Sequence, residues 1–180
     1  MTDGTRLEVA MPAPQEPTEL FGCPVTGTGM QRAIHISRDR YEEVMGSLKA
    51  DGFTFLTDVT AVDYLIHAAG RTLPDGIAGE RFEVVANLLD MGTAGTDGPR
   101  RLRARVQVPE QDPTVASLFD LWPGADAMER EVYDLMGVVF VGHPDLTRIL
   151  MPDAWEGHPL RKDYAVGRIP VQFKEAPQPR

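Results

Sequence analysis

A chain of 180 residues with 42% hydrophobic side chains is long enough for one ordinary core, so a single domain with loose ends is expected. Its formal net charge of −9 argues against a partner made of nucleic acid and against an anionic membrane, since both demand a cationic surface. The one cysteine, Cys23, excludes an internal disulfide and falls short of the four thiolates of an ordinary iron–sulfur cluster.

In chain order, residues 1 to about 30 are punctuated by Pro12, Pro14, Pro17, Gly22, Pro24, Gly27 and Gly29 and are expected to form a flexible leader. The opening MTDGTRLEVAMPAPQEP has no basic stretch followed by an apolar one, so no secretory signal is expected. Nowhere does an apolar window approach the ~18 residues of a membrane span. Gln31 to Ile36 offers a short strand with Ile34 and Ile36 on one face. Ser37 then caps a predicted helix running to Ala50, with Tyr41, Val44, Met45 and Leu48 on the buried side and Asp51-Gly52 closing it. The stretch GFTFLTDVTAVDYLI is rich in β-branched and aromatic residues and reads as a strand ending in a turn at Asp63-Tyr64.

The middle reads as a hairpin. Arg81 to Leu89 alternates with Phe82, Val84, Ala86 and Leu88 on one face, and Arg101 to Val108 alternates with Leu102, Ala104, Val106 and Val108. The second strand sets Arg101, Arg103 and Arg105 on its other face, read first as a solvated edge device against aggregation and second as a landing site for an acidic patch on a partner. Val115 to Leu121 is predicted as a short helix, broken by Trp122-Pro123-Gly124.

A further helix carries Met128, Val132, Leu135 and Met136 at helical spacing and stops at Gly137; Val138 to Val141 then has strand length. From Gly142 onward all period is lost. Two Gly-His-Pro tripeptides, starting at Gly142 and Gly157, push their histidines toward extended backbone. Leu146, Ile149, Leu150, Met151, Trp155, Leu160 and Tyr164 are too much apolar surface for a disordered tail. Ordering such a segment by apolar burial alone does not offset its backbone entropy, so it needs hydrogen bonds and charge pairs from its own domain or a partner. The architecture expected is α+β: a small mixed or antiparallel sheet with two or three helices over residues 31–141, then an extended docking arm over 142–180.

Residues that could carry chemistry are few. Glu129, Glu131 and Asp134 could serve as metal ligands or an acid/base pair, but Arg130 lies four residues before Asp134, and an ion-paired helix face is the simpler reading. His143 and His158 sit in Gly-His-Pro turns with no metal-ligand spacing around them and read as hydrogen-bonded interface histidines. His35 and His67 are isolated. Cys23 has no histidine nearby in sequence to activate it, and Gly27-Thr28-Gly29 lacks the ending of a phosphate loop. No catalytic, cofactor-binding or metal residue is therefore assigned.

Three blocks remain: Glu129-Arg130-Glu131-Val132-Tyr133-Asp134, then Gly142-His143-Pro144-Asp145-Leu146 with Arg148-Ile149-Leu150, then Glu156-Gly157-His158-Pro159-Leu160-Arg161-Lys162-Asp163. Together they resemble the C subunit of the proton-pumping NADH-quinone oxidoreductase, the 30 kDa subunit family of respiratory complex I. The resemblance is dense from Leu118 to Tyr164 and thinner, but in order, from about Ile34 to Val108; Thr147 stands where that family usually has a basic residue and Ala127 where an aromatic is common. The resemblance implies a cofactor-free component of the peripheral arm, seated near the membrane junction, with FMN, iron–sulfur clusters and quinone in partner subunits. It implies a C-terminal segment wrapping the large D subunit of complex I, which with the B subunit forms the quinone site, and the I subunit as a further neighbour. It implies a peripheral position on the cytoplasmic face of the cell membrane, held there through other subunits, in a complex passing electrons from NADH to quinone and translocating protons.

Carried onto this chain, the resemblance implies an interface made by Glu129, Arg130, Glu131, Asp134, His143, Asp145, Arg148, Glu156, His158, Arg161, Lys162 and Asp163. From the Arg161-Lys162-Asp163 cluster, Arg161→Ala is expected to weaken assembly without lowering the melting temperature of the free domain. The related alternative is the equivalent component of a membrane-bound hydrogenase or an F420H2 dehydrogenase; a remote one is a stand-alone metal-dependent hydrolase using His143, Asp145 and Glu156.

Overall fold

Strict alternation of apolar side chains between residues 82 and 108 dictates a hairpin, and the core is built on it. The computed structural model describes residues 17–67, 71–92 and 98–165. In chain order the elements are Glu19–Leu20 (β1), Cys23–Thr26 (β2), Ala33–Ile36 (β3), Tyr41–Ala50 (α1), Phe55–Asp63 (β4), Phe82–Asp90 (β5), Arg100–Val108 (β6), Thr114–Ala116 (β7), Ala125–Met136 (α2) and Val139–Val141 (β8). Six strands form one mixed sheet in the order β1-β2-β3-β6-β5-β4, in which only the β3–β6 pair is parallel. β7 and β8 pair in parallel as a separate small sheet.

The register sets Phe82 opposite Val108, Val84 opposite Val106 and Ala86 opposite Ala104, so the apolar halves of β5 and β6 fall on one face. Those side chains are buried together with Ile34 and Ile36 of β3 and with Tyr41, Val44, Met45 and Leu48 of α1, the four predicted for the inward face of that helix. The helix itself begins at Tyr41, after a 3-10 turn at Arg38–Arg40 that occupies the residues following Ser37. Val132 of α2 joins the same core, and α2 lies against β4. The α+β class is as expected.

Three expectations need correction. Residues 19–26, expected in the leader, form β1 and β2: Cys23 and Val25 alternate inward, and Val25 pairs with Ile34 of β3. Pro24 is tolerated because it lies near the sheet edge, where a missing donor matters least. Residues 1–16 of the expected leader and 166–180 of the expected arm lie outside the described residues. The helix expected from Val115 to Leu121 is replaced by β7 and a turn. Thr114–Ala116 pair with Val139–Val141, and Glu129 takes the Leu118 N–H at 2.6 Å, so the first turn of the expected helix is committed elsewhere. The arginine-bearing strand β6 is central, between β3 and β5, so its stripe protects no edge.

His35, without a signal in the sequence, is buried on β3, with Nε2 2.8 Å from the Thr26 hydroxyl. Burial, reinforced by the neighbouring Arg105 and opposed by Glu83, lowers its pKa to about 4. In the unfolded chain an imidazole titrates near 6.5, so below that pH the unfolded state binds the extra proton. The stability His35 contributes is present above pH ~6.5 and is lost as pH falls toward 4, a loss of order 3 kcal/mol at ~1.4 kcal/mol per pKa unit. Urea unfolding of the wild type between pH 7 and 4.5 is expected to show this slope, and His35→Gln to flatten it.

Candidate functional site

A segment without helix or strand has to satisfy its backbone groups some other way. Residues 142–165 are such a segment, and the last turn of α2 is what they use. Helix α2 ends at Gly137 in the left-handed region, φ 73°, which suits glycine. Any side chain there would also collide, since a Cβ would stand 2.6 Å from both the His158 ring and the Arg161 guanidinium. Both groups reach this close because they cap the helix. His158 Nδ1 donates to the Asp134 carbonyl at 2.9 Å, the Leu160 N–H to Leu135 at 2.9 Å, and Arg161 Nε to Met136 at 2.6 Å. These are the carbonyls that a helix C-terminus leaves without partners, and the Arg161 cation also suits the negative end of the helix dipole. Arg161 stacks on Phe82 as well, 5.2 Å from the ring centre.

Asp134 is the centre of the arrangement. Its side chain is fully buried; Oδ2 accepts the consecutive N–H groups of Ile149, Leu150 and Met151 at 3.0, 2.7 and 2.8 Å, and Oδ1 accepts Arg148 Nη1 at 2.7 Å. Burial alone would raise the Asp134 pKa; the amides of Met151 and Leu150, the Arg148 guanidinium and the Ile149 amide outweigh it and hold the carboxyl below the usual range. Arg148 then links the two Gly-His-Pro blocks, because its Nη2 donates to the Gly157 carbonyl at 3.0 Å. Desolvation lowers the His158 pKa, and the neighbouring cations Arg161 and Arg148 add to it against the pull of Asp134, so this ring caps the helix as a neutral imidazole.

Two further anchors hold the ends of the arm. At its start, His143 Nε2 donates to the Asp126 carbonyl at 3.2 Å while Nδ1 accepts the Asp145 N–H at 3.1 Å, and Arg130 donates to the Thr147 carbonyl and hydroxyl at 3.1 and 3.0 Å. At its end, Arg81 pairs with Asp63 at 2.9 Å, with Asp163 at 2.8 Å and with Glu110, while Asp63 accepts the Lys162 N–H at 2.9 Å. Burial pushes the Asp63 carboxyl up, but Arg81 and the Lys162 and Leu65 amides bring it below the usual range, and Arg81 is raised in turn by Asp63 and Asp163.

Of the twelve residues implied at an interface, Asp134, Arg148, His158 and Arg161 meet around the end of α2. Glu129 does not join them: it is buried beneath β7, holding Ser117 Oγ and the Leu118 N–H, each at 2.6 Å, and burial raises its pKa. Since Glu129 and Asp134 expose no surface, neither can touch another chain, which corrects that part of the expectation. The expected Arg130–Asp134 pair does not form either, because the arm offers each a better partner: Thr147 for Arg130 and Arg148 for Asp134. Glu131, Asp145, Glu156, Lys162 and Asp163 are exposed. Among the described residues no group of three or more His, Cys, Asp or Glu is placed to hold a metal ion. Sequence reasoning missed Asp63 and Arg81. The signal was present, for Asp63 falls in the inward register with Val59 and Ala61, and an acid there demands a buried cation.

Residues 34–169 match the family described as respiratory-chain NADH dehydrogenase, 30 Kd subunit. The C subunit of NADH-quinone oxidoreductase from Thermus thermophilus is 46% identical over 156 residues, spanning 86% of this chain and 72% of the relative. The solved trypsin-resistant fragment (1–134) of Nqo5 has a TM-score of 0.57 at 42% identity, covering 69% of this chain and 90% of that one. A chain of the membrane-bound sulfane sulfur reductase, an archaeal respiratory membrane complex, has a TM-score of 0.62 at 20% identity, covering 87% and 90%, which is a likeness of fold.

Asp134→Asn preserves shape but offers an amide where a carboxylate gathers three N–H groups and a guanidinium. It is expected to cost about 3 kcal/mol at pH 7 and to speed hydrogen exchange at residues 149–151 while β5 and β6 stay protected. Because the folded pKa is depressed, the difference from wild type should persist above pH ~4 and shrink as pH falls through the lower folded value. Arg161→Ala removes a helix cap, so it is expected to lower the melting temperature of the chain alone, by the equivalent of about 1–2 kcal/mol. An unchanged melting temperature would restore the sequence expectation that Arg161 serves only a partner.

Proposed function

The chain belongs to the 30 kDa subunit family of respiratory-chain NADH dehydrogenase, that of the C subunit of complex I, and we propose that it serves there as a cofactor-free structural component whose arm presents a partner-binding surface on a rigid base. The observation that carries the reading is that the arm is bound to its own domain through polar groups yet leaves three large aliphatic side chains outward. Arg148, Arg161 and the amides of Ile149, Leu150, Met151, Leu160 and Lys162 turn inward onto α2 and Asp63, while Ile149, Leu150 and Leu160 remain 41, 60 and 50% exposed. A segment that served only its own domain would bury its leucines; large apolar side chains held outward on an ordered base fit a surface that another chain covers.

In this reading the arm seats against the D subunit, with the B and I subunits close by, and FMN, the iron–sulfur clusters and quinone belong to partners. The complex carries electrons from NADH to quinone coupled to proton translocation, and this chain keeps the geometry of the quinone-site subunits. Its histidines have other work: both His143 ring nitrogens are engaged, and His158 caps a helix. Attachment to the cytoplasmic face of the membrane runs through other subunits; no described helix is long and apolar enough to cross it.

The test is a mild-detergent pull-down of the tagged chain from its own membranes, with NADH- and F420H2-dependent quinone reduction assayed. Flavin and iron–sulfur subunits with NADH activity are the expected companions. F420H2 activity would assign the chain to a related dehydrogenase, and a solitary chain would refute the subunit reading. Leu150→Asp combined with Leu160→Asp should leave the melting of the free chain within about 0.5 kcal/mol, as exposed positions do, yet cut recovery in the complex at least tenfold.

A further inference from the structure

One motif is not absorbed by the arm: the arginine stripe on β6. We infer that the outward face of the large sheet, along β6, is a second docking surface, and that its occupant is an acidic segment of another subunit whose carboxylates pair with Arg101 and Arg103. The inference rests on the proposed function, since it takes the chain to be one component of a larger complex.

The face is charged against the grain of the molecule. In a chain of net charge −9, four guanidiniums, those of Arg71, Arg101, Arg103 and Arg105, gather here against the carboxylates of Glu83 and Asp58. Glu83 is already committed: it is buried, with Arg105 on it at 2.8 Å and Gln107 bound to its other oxygen. Asp58 lies on β4, two strands from β6, opposite Asn87. Arg101 has only the neutral Asn87 amide at 3.4 Å, and no acceptor among the described residues pairs with the Arg103 guanidinium.

A second observation comes from the end of the stripe. Arg105 continues into a cleft of about 390 Å³ lined also by Tyr64, His67, Arg71 and Thr72. The Arg71 side chain is only 7% exposed, stacks over the Tyr64 ring at 4.1 Å, donates Nη2 to the Glu80 carbonyl at 3.1 Å and pairs with Glu83 at 3.9 Å, yet its Nη1 has no hydrogen bond among the described residues. A buried guanidinium with an idle donor calls for an acceptor from outside. Along β6 the arginines recur every second residue, a repeat of roughly 7 Å, which is also the spacing of alternate carboxylates in an extended chain. A central strand needs no protection from edge pairing, so the stripe is not explained by that. A nucleic-acid backbone is disfavoured by the negative field of the rest of the chain.

The experiment uses the complex recovered from membranes. Arg101→Glu with Arg103→Glu should lower recovery of the chain in the complex at least tenfold, whereas Arg101→Lys with Arg103→Lys should retain most of it. In a chain with both arginines intact, p-benzoylphenylalanine in place of Asn87 should cross-link to a stretch of another subunit rich in Asp and Glu, a readout independent of how the charge-reversed variant folds. Wild-type recovery of the reversed variant overturns the inference. So does a cross-link only to a second copy of this chain or to lipid, or the lack of any cross-link in an intact complex. If the wild-type chain itself is recovered without companions, this inference and the proposed function fail together; if only the stripe variants behave as wild type, the proposed function stands.

Discussion

A carboxylate removed from water has to be compensated where it stands, and in this chain Asp134 imposes that condition on the arm at residues 148–151. Three amides and a guanidinium supply the compensation, all from residues 148–151. Hydrogen bonds to a charged acceptor contribute ~1.5–3 kcal/mol each, and they are directional. They therefore do what apolar burial cannot: they place an irregular segment in one register on the helix. The open carbonyls of α2 extend the same logic, since His158, Leu160 and Arg161 complete the helix while the helix orders them. Helix and arm are one cooperative unit, and Gly137 is the residue small enough to let them meet.

Arg81 performs the corresponding task at the other end. It gathers Asp63, Glu110 and Asp163 from three separate parts of the chain, so the far end of the described arm is fixed to the sheet rather than to the helix. An arm held by hydrogen bonds at its start and by charge pairs at its far end can leave Leu150 and Leu160 outward without coming loose. Attachment thus falls to polar atoms, while three large aliphatic side chains stay outward. The same economy holds on the opposite side of the sheet, where β5 and β6 bury their apolar faces and leave the arginines of β6 outward.

The sequence was legible where side-chain period alone decides structure. The faces of β5 and β6, the four inward residues of α1 and the end of α2 at Gly137 all follow from spacing of 2 or 3.6. It misled where a distant group competes for backbone donors. Residues 115–121 have ordinary helical composition, but Glu129, eleven residues beyond Leu118, takes the amide a helix would need. Proline and glycine punctuation hid β1 and β2 for a related reason: short strands near a sheet edge are stabilised by the sheet they join, not by their own pattern. Glu129 and Asp134 were legible as important and misread in role, because their residue type announces charge but not which surface buries it.

What the sequence by itself determined was the α+β class, the apolar faces, the break at Gly137, the extended character of the arm and, through its three motif blocks, the family. Those are properties of local period, turn chemistry and motif order. Only the tertiary structure decided that the arm binds its own domain, that Asp63 and Arg81 close its far end, and that the arginine strand is central rather than marginal. The physical reason is that a charged side chain can satisfy itself with any opposite charge or amide within reach, and only the folded chain establishes which of them comes within about 3 Å.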